Sequence, residues 1–127
     1  MARERWTKKL SKIEGVTCLP QVVSVTLPTS CEGCFEATEM VKSFMAEAFR
    51  GYTATKADGC WWDNESHEMI CEPVEVVESG HACMSPAEES LFVNMIMEAG
   101  KMMDQSSMAI KTNRYMLIGK EAYGKYK

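Results

Sequence analysis

Between Gln21 and Pro28 the chain alternates, with Val23, Val25 and Leu27 on one side and Ser24 and Thr26 on the other. That period of two is the pattern of a half-buried strand, and Pro28 with the polar residues after it ends it. Residues 31–49 change to helical spacing, placing Ala37, Val41, Phe44, Met45 and Ala48 on one face. Thr29 and Glu32 offer a capping box at the start of this helix, and Gly51 offers a stop at its end. Segments 52–62 and 68–79 flank the polar Asp63-Asn64-Glu65-Ser66 and are rich in aromatic and β-branched residues, which predicts a β-hairpin. Ile70, Val74 and Val76 are assigned to one face of its second strand, with Pro73 marking a bulge or an irregular start. Trp61 and Trp62 must point to opposite faces, one to the core and one to the surface. Ser85-Pro86-Ala87-Glu88 is the strongest helix start in the chain, with serine as cap, proline in the first turn and glutamate closing the box. It leads into a stripe of Leu91, Phe92, Met95, Ile96, Ala99, Met102 and Met103, predicting a helix over 86–104. The last periodic segment, 107–118, reads as a strand whose phase slips near Asn113, the mark of a bulge or of a second short hairpin. Trp6, Leu10 and Ile13 allow a short helix or a basic arm within 1–18, and 120–127 reads as a mobile tail.

The order is strand, helix, strand, strand, helix, strand. Each helix has one apolar stripe, so the economical solution is an α+β, ferredoxin-like βαββαβ arrangement, a four-stranded antiparallel sheet with two helices on one face. The 127 residues fit a single domain large enough to bury a core without metal or disulfide. The first and third strands are taken as parallel neighbours at the centre of the sheet. On that arrangement the loops that follow them, and the starts of both helices, share one edge.

Charge divides the chain. Arg3, Arg5, Lys8, Lys9 and Lys12 against Glu4 and Glu14 make residues 1–14 net +3. Lys111, Arg114, Lys120, Lys125 and Lys127 against Glu121 make 111–127 net +4, so an overall −4 leaves −11 for residues 15–110. An acidic body argues against direct nucleic-acid binding, which needs clustered cations. It fits a solvated surface, or one that docks on a basic protein partner. No apolar run reaches membrane-spanning length, and the charged start MARERWTKKLSKIEG lacks the apolar core of a secretory signal. A cytoplasmic location is therefore expected. The six cysteines, Cys18, Cys31, Cys34, Cys60, Cys71 and Cys83, are then expected as thiols rather than a disulfide framework, with Cys60 and Cys71 packed across the hairpin. The eleven methionines read as core and interface filling. Together with open sheet edges they predict a homodimer.

Candidate chemistry gathers around 31-CEGC-34. Cys31 and Cys34, with His81 and Cys83 some forty-six residues on, supply four sulfur or nitrogen ligands of the kind that hold tetrahedral zinc, and the shared sheet edge would bring them together. Placement at a helix start suits a redox pair as well, and small thiols also simply pack at such a corner. The stretch 29-TSCEGC-34, between a first strand and a first helix, resembles the heavy-metal-associated domains of copper chaperones and transport ATPases. That resemblance implies a metal role for Cys31 and Cys34. No phosphate loop, nucleophile elbow or zinc-protease motif is present. His67 is expected at the hairpin tip, at the opposite end of the sheet from the cysteines. The function expected on these grounds is a small, self-associating, non-enzymatic binding or regulatory module. The alternatives are a zinc- or copper-binding protein using the four ligands, and an acidic inhibitor or nucleic-acid mimic of the kind carried by phages or mobile elements.

Overall fold

The computed structural model describes residues 21–82, 84–105, 107–112 and 116–120. Residues 1–20, 83, 106, 113–115 and 121–127 lie outside the described residues, and with them the expected N-terminal helix or arm and the expected mobile tail. The elements run β1 (Gln21–Pro28), α1 (Cys34–Phe49), β2 (Thr53–Asp63), β3 (Glu68–His81), α2 (Pro86–Met102), β4 (Ser107–Thr112) and β5 (Met116–Lys120). The slip near Asn113 is thus a short hairpin, and it adds a fifth strand to the expected four.

The strands form one sheet in the order β2-β3-β1-β4-β5, with every neighbouring pair antiparallel. This is the expected ferredoxin-like fold, but one step of the expectation is corrected. β1 and β3 are antiparallel, with Gln21 opposite His81 and Pro28 opposite Val74. The helical crossover returns β2 parallel to β1 and leaves a gap one strand wide. The hairpin then sends β3 back through that gap in the opposite direction. The loop after β1 and the loop after β3 therefore lie at opposite ends of the sheet, and so do the starts of α1 and α2.

Both helices lie on one face of the sheet. Val23, Val25 and Leu27 of β1, Val77 of β3 and Met108 and Ile110 of β4 meet Ala37, Val41 and Met45 of α1 and Phe92, Ile96 and Ala99 of α2 in one cluster. Val25, Leu27, Val41, Met45, Val77 and Ile96 are fully buried, each contributing about 1.5–3 kcal/mol of transfer free energy. Val74 and Val76 share a face of β3, as expected; it points away from the helices, and Glu75, Val77, Ser79 and His81 point to them. Val74 is nonetheless buried, beside Gly59, where a Cβ would crowd its side chain. In α2, Leu91 and Met102 leave the expected stripe and are exposed.

The helix ends differ in how well their residues announced them. α2 begins as expected, with Ser85 Oγ accepting from the Glu88 N–H at 3.2 Å and Glu88 Oε1 accepting from the Ser85 N–H at 3.1 Å. α1 has no side-chain cap. Gly33, at φ 82°, is its N-cap, and the Thr29 hydroxyl donates instead to the Pro73 carbonyl on β3 at 3.3 Å. Gly33 also allows the helices to approach, because a Cβ there would collide with the Met102 carbonyl oxygen at the end of α2. At the other end of α1, Arg50 rather than Gly51 takes the left-handed position, at φ 72°.

The β2–β3 ribbon extends beyond the sheet. Pairing of β3 with β1 stops at Val74, whereas pairing with β2 continues to Asp63 opposite Glu68. Both Trp61 and Trp62 are exposed on this extension, as is Met69, because among the described residues no third strand or helix reaches them. The cysteine expectation is corrected as well. Cys60 and Cys71, direct partners in the register, form a disulfide, and so do Cys31 and Cys34. In both pairs the local backbone already sets the Cα atoms 5.2 Å apart or closer, within reach of a bond.

Candidate functional site

Cys83 lies outside the described residues, and the other three expected metal ligands are not assembled. Cys31 and Cys34 sit at the start of α1, beyond the end of β1. His81 is opposite Gln21, at the other end of the same strand. His81 is buried, its ring stacked on Phe49 with centroids 4.5 Å apart, and its Nδ1 lies 2.6 Å from the Ala82 carbonyl oxygen. It is a core histidine with its polar edge satisfied. His67 is in the ribbon turn, at the Cys31 end rather than opposite it. Among the described residues no cluster of three or more histidine, cysteine or acidic side chains could hold a metal ion.

Among the described residues, concavities border α1 on two sides. One, of about 350 Å³, lies between the end of α1 and the start of α2 and is lined by Phe44, Phe49, Met84 and Leu91. The other, of about 430 Å³, lies between the first half of α1 and the β2–β3 side of the sheet. It is the richer in chemistry. Helical spacing places Cys34, Thr38 and Lys42 along one flank of α1, next to the core stripe. Thr29, Ala54, Lys56 and Glu75 come from the sheet side, and Phe35 and Glu39 from the helix.

A charge pair organises this groove. Lys42 Nζ lies 2.6 Å from Glu75 Oε1, with both side chains largely shielded from solvent. The hydrogen bond to Glu75 raises the lysine above the ordinary lysine range; burial opposes this, and the charges of Glu75 and Glu39 add to it. The same ammonium stands 5.9 Å from the centre of the Tyr52 ring, within cation–π range. Glu75 is committed to Lys42, whereas Lys56 makes no ion pair among the described residues. Phe35 is 73% exposed, a large apolar ring at the mouth of the groove with little protein covering it. The groove thus offers an aromatic face, two hydroxyls and charges of both signs within a volume that suits a small ligand.

Of the groove residues only Cys34, and Thr29 as a cap candidate, stood out in the sequence. Thr38 and Lys42 are one and two turns after Cys34, a polar line beside the apolar stripe, but that line reads equally well as a solvated flank. Glu75 lies among Val74, Val76 and Val77, and only the pairing register shows which face it takes.

No protein-family model matches the chain, nor does any curated protein. Solved structures do share its architecture. A phage SAM lyase in complex with S-methyl-5'-thioadenosine superimposes with a TM-score of 0.59 at 10% identity, over 87% of this chain and 97% of that one. A phage SAM lyase in the apo state gives 0.53 at 10% identity over 79% and 88%. A Bacillus cereus protein related to NIF3 gives 0.51 at 12% identity over 79% of this chain but only 26% of that protein. At these identities the likeness is one of fold. It overturns the expectation of a small non-enzymatic module, since the solved structures that share this fold include a phage lyase. For the metal-carrier alternative, Cys31 and Cys34 lie at the opposite end of β1 from His81, with Cys83 outside the described residues, and of the acidic-mimic alternative only the phage connection finds an echo, in the source of that neighbour.

Proposed function

We propose that this chain is a lyase acting on a small sulfonium nucleoside of the S-adenosylmethionine class, with the groove between α1 and β2–β3 as its binding site. The observation that carries the reading is the two-way coverage: nearly the whole of a SAM lyase chain matches nearly the whole of this one. A shared subdomain inside a larger protein would not give that. The chemistry balances without an added cofactor. The bond between the sulfonium sulfur and the amino-acid carbon breaks, and sulfur keeps the electron pair to leave as the neutral thioether S-methyl-5'-thioadenosine. The carbon it leaves accepts the substrate's own carboxylate oxygen or gives up a neighbouring proton, so no water is consumed.

The groove supplies groups suited to each part of such a ligand. Phe35 presents a ring for the purine. Lys56 is a cation for the carboxylate, and Glu39 is an anion for the ammonium. The Lys42–Glu75 pair holds the wall in place and presents little net charge to the sulfonium. That matters because positive charge disappears from sulfur as the bond breaks. A wall that stabilised the sulfonium more than the neutral thioether would slow the reaction. A cytoplasmic site of action belongs to the same proposal, because a substrate with sulfonium, ammonium and carboxylate charges does not cross a bilayer unaided.

Calorimetric titration with S-methyl-5'-thioadenosine tests the site. Saturable binding is expected, weakened roughly tenfold by Phe35→Ala through loss of ring stacking. Binding that Phe35→Ala leaves unchanged would move the ligand out of this groove.

A further inference from the structure

The Cys31–Cys34 pair borders the groove, yet the lyase chemistry makes no use of it. Its two sulfurs differ in three respects. Cys31 is half-buried, on a corner between exposed Ser30 and Glu32, whereas Cys34 is only 2% exposed. Cys34 is the first residue of the sixteen-residue α1, where unpaired N–H groups and the helix dipole favour negative charge. The Cys31 backbone N–H already donates to Cys34 Sγ at 3.2 Å. One sulfur is open to attack, and the other is prepared to carry the charge that attack releases. The disulfide between Cys60 and Cys71 has no such asymmetry: both residues are exposed, and both lie within strands.

We propose that Cys31–Cys34 is a thiol–disulfide exchange site for a low-molecular-weight thiol, with Cys31 the sulfur attacked and Cys34 the leaving sulfur. The incoming thiolate forms a bond to Cys31 Sγ. The Cys31–Cys34 bond breaks, and its electron pair goes to Cys34 Sγ as a thiolate held by the Cys31 N–H. A second thiolate then attacks the small-molecule sulfur of the mixed disulfide and releases Cys31 as thiolate. Two thiols are oxidised to one disulfide, and the protein pair is reduced to two thiols. The carbonyl end of α2 packs on Gly33 and opposes part of the helix-dipole effect, so the N–H at Cys34 Sγ is the more direct source of leaving-group stabilisation. Selectivity follows from access and from leaving-group stability together. The proposal stands apart from the lyase reading and does not depend on it.

The test treats the oxidised full-length protein with reduced glutathione, quenches it in acid, and locates the adduct by fragmenting the peptide that spans both cysteines. Glutathione is expected on Cys31 in roughly tenfold excess over Cys34. Cys34→Ser, reduced and given oxidised glutathione, should accumulate the mixed disulfide at Cys31. Should that variant fold poorly, limiting iodoacetamide on the fully reduced unaltered chain gives the same reading, with Cys31 alkylated ahead of Cys34. Adducts mainly on Cys34, equal labelling of the two, or a Cys31–Cys34 bond that survives while Cys60–Cys71 opens would each overturn the assignment.

Discussion

Lys42 on α1 and Glu75 on β3 meet at 2.6 Å, and this pair joins the helix to the sheet along the wall of the groove. Shielding gives it more weight than a surface ion pair. Removing one partner leaves the other half-buried and poorly compensated. Lys42→Met and Glu75→Gln are each expected to cost about 1 kcal/mol in stability, and the double variant less than their sum, as a double-mutant cycle on urea unfolding would register. Strict additivity would mean that the pair is incidental.

The same pair sets an alkaline limit. Its hydrogen bond raises Lys42 in the folded state. A group raised on folding contributes stability that is fully present below its unfolded value and is lost as pH rises through the folded value. The unaltered protein should therefore lose stability above the ordinary lysine range more steeply than Lys42→Met does. Parallel pH profiles for the two proteins would contradict this.

Gly33 is expected to tolerate no side chain. It sits at φ 82° and lies against the Met102 carbonyl, so Gly33→Ala combines left-handed strain with overpacking. A loss of about 3 kcal/mol in urea unfolding is predicted. A loss below about 1 kcal/mol would show that the helices can separate there without cost.

The ribbon beyond β1 should behave as a locally stabilised unit. Cys60 and Cys71 close it at a point where β3 has only β2 as partner among the described residues. Replacing both with serine should lower local stability by about 2–3 kcal/mol. Amide exchange should quicken across 58–63 and 68–73, while the fully buried positions Val25, Val77 and Ile96 keep their protection. Faster exchange throughout the core would show instead that the ribbon and the sheet open as one.

The element types were legible because each carries its own period. The alternation of β1 and the Ser85–Glu88 box are local features, and the structure reproduces both. The direction of β3 was not local. It depends on which strand fills the gap left by a crossover, and that one misassignment placed His81 beside Cys31 and Cys34, at the wrong end of the sheet. The face of β3 was hidden by apolar residues on both sides, Val74 and Val76 against Val77, so the residues alone do not say which side Glu75 takes. The groove was illegible for a related reason: Lys42 and Glu75 each look like a solvated charge, and only tertiary pairing makes them a wall. Cys60 opposite Cys71 is readable from the hairpin register, but whether the two thiols join depends on the redox compartment, which the residues do not encode.

The lyase reading is tested most directly by incubating the purified protein with S-adenosylmethionine and following the products by liquid chromatography and mass spectrometry, with a heat-inactivated control. The account predicts S-methyl-5'-thioadenosine formed faster than in the control and in step with substrate loss, together with an amino-acid fragment that carries no oxygen from labelled water. Substrate consumed only at the control rate, or a fragment labelled from water, would contradict it.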